Sequence, residues 1–124
     1  MDLTDYNARW LKAWSDKDVP RLLTFYSPDT AYYDPQTPDG VHGHAALGAY
    51  LTGLFAALPP TIYAPHEIWP TAGGYCGRWY ATTTASDGVK SYMRGFDLVL
   101  LRGDQIVLNE VYVHPVSSLP TGPA

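Results

Sequence analysis

Apolar residues in the first third of the chain recur at helical spacing. Leu3, Tyr6, Trp10, Leu11 and Trp14 follow a three-to-four step and predict an amphipathic helix starting near Thr4. Asp18 can cap a second, short helix whose first turn holds Pro20, where a missing N–H costs little. Leu22, Leu23, Phe25 and Tyr26 supply its buried side, and Ser27-Pro28-Asp29 closes it. Thr30 to Asp34 then reads as a strand. After Gly43, the residues Leu47, Tyr50, Leu51, Leu54, Phe55 and Leu58 fall on one stripe of a third helix, stopped by Pro59-Pro60. Beyond that point the period changes to two. Strands are predicted over 61–69, interrupted by Pro65, then over 77–86, 89–101 and 105–113. Asp87-Gly88 and Arg102-Gly103-Asp104 mark the turns. Helices segregated from an antiparallel meander give an α+β domain over 1–114, with 115–124 as a flexible tail. A long sheet with few helices curves around them and leaves a concavity suited to a small ligand.

Several polar residues break this pattern. In GFDLVLL, Asp97 stands inside an apolar strand, sharing a face with Ser91, Met93, Gly95, Val99 and Leu101. A carboxylate there must be hydrogen-bonded, paired or protonated, and burial raises its pKa. It either lines a functional cavity or pairs structurally with Arg78 or Arg94. Gly95 could hold a bulge that reverses the parity. Phe96, Leu98 and Leu100 make the other face apolar too, and a second subunit would cover it. Asp34 precedes Pro35 and can be a turn-former or a working carboxylate, with Tyr32 on its face. Asn109 lies among Val107, Val111 and Val113, as a ligand hydrogen-bonder or a partner for backbone groups. Arg78, Tyr80, Thr82 and Thr84 form one polar-tipped face; Trp79, Ala81 and Thr83 form the other.

Composition narrows the function. The chain has 124 residues, 46% hydrophobic and 16% charged, with four Trp and ten Tyr. Such aromatics suit cavity walls and interfaces. A net charge of −4 argues against nucleic acid, which needs clustered Lys and Arg. MDLTDYNARW has neither a basic region nor an apolar run, so no signal peptide or membrane segment is expected and the cytoplasm is the expected location. Cys76 is the only cysteine and reads as packing. His42-Gly43-His44 has no third ligand at familiar spacing, so no metal is expected. No phosphate loop, dinucleotide fingerprint or G-x-S-x-G is present, and no cofactor is expected.

Residues 16–51 contain FY-x-x-D-x-x-Y-x-DP, a loop, a glycine and a helix with A-A-L near its start. This segment, with the Asp-Gly hairpin, GFDLVLLRGDQIV and NEVYVH, resembles SnoaL-like and ketosteroid-isomerase-like proteins of the NTF2-like superfamily. The resemblance implies a bent, cone-shaped sheet around helices with an apolar pocket, often in a dimer. It implies Asp34 as a proton-shuttling base and Asp97 as a protonated acid donating to an oxyanion, the logic of a carboxylic acid held neutral by an apolar site. The family's oxyanion-binding Tyr falls at Trp10, an N–H donor without phenol acidity. Tyr32, Tyr50 or Tyr80 would have to substitute. Arg78 resembles the Arg of limonene-epoxide-hydrolase-like members, but Tyr80 and Val111 replace their carboxylates, which excludes that chemistry. The implied activity is cofactor-independent isomerisation or polyketide-cyclase-like ring closure on an apolar, cyclic substrate, with Asp34 and Asp97 catalytic and Trp10, Tyr32, Tyr50, Arg78, Tyr80 and Asn109 binding the ligand. The alternative is a non-catalytic ligand-binding or dimerisation module. A homodimer through the outer sheet face is expected.

Overall fold

Asp2 starts the first helix, α1 (Leu3–Ser15), by accepting a hydrogen bond from the Asp5 N–H at 3.0 Å. A computed structural model describes residues 1–121. Tyr6, Trp10, Leu11 and Trp14 form the buried stripe of α1. Asp18 caps α2 (Val19–Phe25) through the Arg21 N–H, with Pro20 in the first turn. Between them Lys17 adopts a left-handed φ of 52°. Its ammonium donates to the carbonyls of Leu58 and Phe55, covering the C-terminal end of α3 (His44–Ala57). Gly43, at φ 84°, precedes α3, whose Leu47, Leu51 and Phe55 are buried.

Four strands follow: β3 (Thr61–Thr71), β4 (Gly74–Thr84), β5 (Lys90–Arg102) and β6 (Gln105–Val116). With β1 (Tyr26–Tyr33) and the two-residue β2 (Val41–His42), they make one sheet in the order β2-β1-β6-β5-β4-β3. The sheet is bent and open, with three helices, and every neighbouring pair is antiparallel except β1 with β6. Among the described residues, no helix is long and apolar enough to cross a membrane.

The elements depart from the sequence expectation in four places. The first strand starts at Tyr26 and not at Thr30: Tyr26 pairs with Ile106 and Ala31 with Leu108, so Ser27-Pro28-Asp29 forms an irregularity inside the strand. A tight turn at Ala72-Gly73 joins β3 and β4, which extends both past their expected ends. Gly74 permits this, because a Cβ there would lie 2.0 Å from the Val99 carbonyl oxygen. Pro65 and Pro70 remain within β3 because it is the sheet edge, with one irregularity at His66. The expected tail begins late, since β6 pairs with β5 through Val116. Pro115 is tolerated there because β1 pairs with β6 only as far as Glu110. Residues 117–121 have no regular structure, and the rest of the expected tail, 122–124, lies outside the described residues.

Alternation then decides what faces the helices. On β4, Tyr75, Gly77, Trp79 and Ala81 are buried. On β5, Gly95, Asp97 and Val99 are buried, while Phe96 is 42% exposed on the other side. The β4–β5 ladder runs without a break, so Gly95 holds no bulge.

Candidate functional site

The concave face of the sheet, α1 and the end of α3 enclose a cavity of about 250 Å³. Trp10, Leu11 and Trp14 line it from α1, and Leu54 and Leu58 from the α3 end. Tyr63, Trp79, Met93, Val111 and Val113 line it from the sheet. Adjacent rings meet at steep angles: 90° for Trp10 and Trp14, and 69° for Tyr63 and Trp79, with centroids 6.4 and 5.2 Å apart. These rings form corners in a wall completed by Leu, Met, Val and Pro side chains. Among the described residues, carboxylate and amide side chains line it at Asp97 and at the segment Asp34-Pro35-Gln36 beside Tyr32.

Asp97 is 2% exposed. Trp79 Nε1–H donates to its Oδ1 at 2.9 Å, and Asn109 Nδ2–H to its Oδ2 at 3.1 Å. Burial pushes its pKa up to about 7, against the opposing pull of these two donors. Trp79 reaches it because the residue opposite on β5 is Gly95. A Cβ at Gly95 would lie 2.1 Å from the indole. Asn109 is held in turn by the Tyr26 hydroxyl, which donates to Oδ1 at 2.9 Å. Burial, then the Asp97 charge, raise the Tyr26 pKa well above its usual value. The indole N–H groups of Trp10 and Trp14 lie close enough to the Tyr26 hydroxyl to favour its ionised form, yet neither makes a hydrogen bond of proper geometry. Both are buried donors with spare capacity.

Asp34 is built differently. Its Oδ1 accepts from the Gln36 N–H (2.8 Å), the Thr37 N–H (3.0 Å) and the Thr37 hydroxyl (3.0 Å), closing the turn that follows β1. Its Oδ2 accepts from the hydroxyls of Tyr32 at 2.9 Å and Tyr50 at 2.5 Å. The turn-former and the cavity carboxylate are the same residue, one oxygen for each task. Burial, with Asp34 as an accompanying cause, raises the pKa of both tyrosines.

The structure brings Asp34, Asp97, Trp10 and Tyr32 to one cavity. Two expected ligand residues are placed one layer away. Tyr50 holds Asp34, and Asn109 is fully buried behind Asp97. Val107 does not share the inward face of Asn109, since the ladder slips between Leu100 and Leu101, and Ile106 turns inward instead. Arg78 and Tyr80 require correction. Both lie on the opposite face of the sheet, because the buried set of β4 is the odd-numbered one. There Arg78 stacks over Trp69 at 5.3 Å and contacts Glu67 at 3.4 Å, and Tyr80 packs on His66. Asp97 therefore pairs with neither Arg78 nor Arg94; Arg94 contacts His114. The two loop histidines separate: His44 contacts the Tyr26 carbonyl at 2.6 Å and His42 packs on Tyr33. The sequence reading overlooked Trp79, the direct partner of Asp97. Counting back from the Asp87-Gly88 turn places it opposite a glycine, a signal that a large ring crosses the neighbouring strand.

A SnoaL-like domain matches residues 7–109 of the chain. No curated protein matches the sequence significantly. Among solved structures, an NTF2-like protein of unknown function from Burkholderia pseudomallei is 16% identical, with 90% of each chain covered and a TM-score of 0.77. SalBIII, an epoxide hydrolase/cyclase-like enzyme in pyran ring formation in the polyether salinomycin, is 15% identical over 90% of this chain and 89% of its own, with a TM-score of 0.75. A protein of ketosteroid-isomerase-like fold from Catenulispora acidiphila, in complex with trimethylamine, is 14% identical over 83% and 80%, with a TM-score of 0.73. These likenesses establish the fold, an NTF2-like cone.

Proposed function

The chain belongs to the SnoaL-like domain family, and from that premise we propose that it is a cofactor-independent acid/base enzyme acting next to a carbonyl of an apolar, cyclic substrate. The observation that carries this reading is Asp97: a buried carboxyl at the wall of an aromatic cavity, with a pKa of about 7. General acid/base catalysis works best when the pKa lies near the working pH. In the proposed reaction the substrate ring lies among Trp10, Trp14, Tyr63 and Trp79. Asp97 takes the proton from the carbon beside the carbonyl, and the electron pair moves onto the carbonyl oxygen. The indoles of Trp10 and Trp14 border that space, and their N–H groups, which sit beside the Tyr26 hydroxyl, would have to turn to donate to that oxygen. Return of the proton to a different carbon shifts a double bond; attack of the enolate carbon on a second carbonyl closes a ring.

This gives Asp97 the base role that the resemblance implies for Asp34. Asp34 carries five donors on two oxygens, so accepting a substrate proton would displace one of them. It is proposed as a positioning residue for Tyr32 and Tyr50. The test is exchange of the α-proton of a cyclic enone, followed by NMR in deuterated water. Exchange should rise with pH through about 7, vanish in Asp97→Asn and persist in Asp34→Asn. Wild-type exchange in Asp97→Asn refutes the mechanism.

The competing reading is a binding module without catalysis. It is favoured by the indole at Trp10 where a phenol is expected, and by the neighbour in complex with trimethylamine. Binding of the enone without exchange would select it. We also propose that a second copy covers the outer face, where Phe96 and Tyr112 are 42% and 61% exposed. Arg78, Arg94, Glu67 and Glu110 put both signs of charge on that face, which lets it complement itself across a two-fold axis. Sedimentation should show a dimer that Phe96→Glu dissociates.

A further inference from the structure

Asp97 is a buried carboxyl with no cation. The ion pairs among the described residues are Arg9–Asp5, Lys12–Asp16, Arg78–Glu67 and Arg102–Asp29, all of them elsewhere. Its two partners, Trp79 and Asn109, are neutral donors. A buried carboxylate without a counter-charge is costly and is satisfied by a proton or by a cation. Among the described residues, the cavity it faces is lined by no Lys, Arg or His, while Asp34 contributes a second carboxylate. Five rings, those of Trp10, Trp14, Tyr32, Tyr63 and Trp79, share the remaining walls with aliphatic side chains; Trp10 meets Trp14 and Tyr63 meets Trp79 at steep angles, and ring faces attract cations.

We infer that the cavity selects its ligand by charge: it prefers a compact organic cation, an amine or quaternary ammonium about one ring in size, over a neutral isostere, and rejects carboxylates and phosphates. The cationic nitrogen replaces the proton on Asp97 and lies against the rings of Trp79 and Tyr63. The inference rests on the cavity that serves the proposed reaction as its ligand site, and it does not need the proton transfer.

The preference depends on pH in a definite direction. The groups that face Asp97 are the phenols of Tyr26 from β1, Tyr63 from β3 and Tyr75 from β4. Burial raises all three, so they stay neutral across the physiological range. The helix α1 contributes Trp10, which does not titrate, to the same cavity, and its Asn7 accepts from the Tyr75 hydroxyl. Asp97 alone in this set changes charge near neutrality, and a permanent cation binds its ionised form. Affinity therefore rises from pH 5 to pH 7 and levels off above.

Three probes of similar size test this: benzyltrimethylammonium, neopentylbenzene and phenylacetate, titrated against the full chain by tryptophan fluorescence. At pH 8 the ammonium should bind at least about tenfold tighter than the hydrocarbon, and phenylacetate should not bind. The ammonium should lose up to about tenfold in affinity per pH unit on acidification below 7. In Asp97→Asn most of the ammonium preference should be lost, the ring faces and Asp34 keeping the remainder. Phenylacetate binding as tightly as neopentylbenzene overturns the inference, as does an ammonium preference that is undiminished in Asp97→Asn. Should that variant fail to fold, the pH series decides alone, because the quaternary probe cannot titrate: a flat series overturns the inference. Ammonium preference without enone exchange supports this inference while refuting the reaction.

Discussion

Two aspartates line one cavity, and their surroundings make them different groups. Asp34 sits where the chain turns, with backbone N–H groups, a threonine and two phenols around it. Asp97 sits in the middle of a central strand, with one indole and one amide. Five donors stabilise a negative charge at the first. Two neutral donors do not offset full burial at the second, and its pKa rises to about 7. Residue type alone assigns neither role. The number of donors and the depth of burial do.

The largest expected break in this comparison is Asp97→Asn. The native Asp97 holds its proton to about pH 7, whereas in the unfolded chain it is lost near pH 4. Between those values the native state binds more protons, so the stability supplied by this group falls as pH rises from 4 to 7. The loss is on the order of 4 kcal/mol. Asn removes the charge but turns an NH2 toward one of the two donors that Asp97 accepts from, so the variant is less stable at pH 5, and denaturant titrations of it should lack this decline between pH 4 and 7.

The next effect is Gly95→Ala. A methyl group 2.1 Å from the Trp79 indole forces the ring away and costs about 2–3 kcal/mol. It also removes the Oδ1 donor, so the carboxyl signal of Asp97 in an NMR titration should move to higher pH. A smaller effect, about 1–2 kcal/mol, is expected for Asp34→Ala, which frees the turn and leaves the buried Tyr32 hydroxyl unpaired. Tyr50→Phe removes one of the two phenol donors at a half-buried site and should cost less than about 1 kcal/mol in a chemical melt.

Helix α3 was readable from its stripe, and Asp97 from its position among apolar neighbours. Both are local signals. Alternation divided β4 into two sets correctly, but it does not say which set faces inward, and Arg78 and Tyr80 went to the wrong side. The polar tips suggested a ligand site; the structure puts Trp79 and Ala81 against the core instead. Tyr26 was assigned to a helix because the Ser27-Pro28-Asp29 signal looked like a loop. A parallel pairing with β6, distant in sequence, overrides that local signal. Gly95 was legible as exceptional, though the reason is the ring opposite it and not a bulge.

That parallel pairing also bears on the order in which the molecule assembles. Strands β3 to β6 meet through short turns, so their contacts close small loops. Strand β1 must find β6 from some eighty residues away: Tyr26 pairs with Ile106. Closure of so long a loop is slow and comes after local pairing. Tyr26 brings the hydroxyl that fixes Asn109, and Asn109 fixes Asp97. The meander should therefore gain protection from hydrogen exchange first and β1 last, with the Asp97 environment completed only when the two ends of the chain have met.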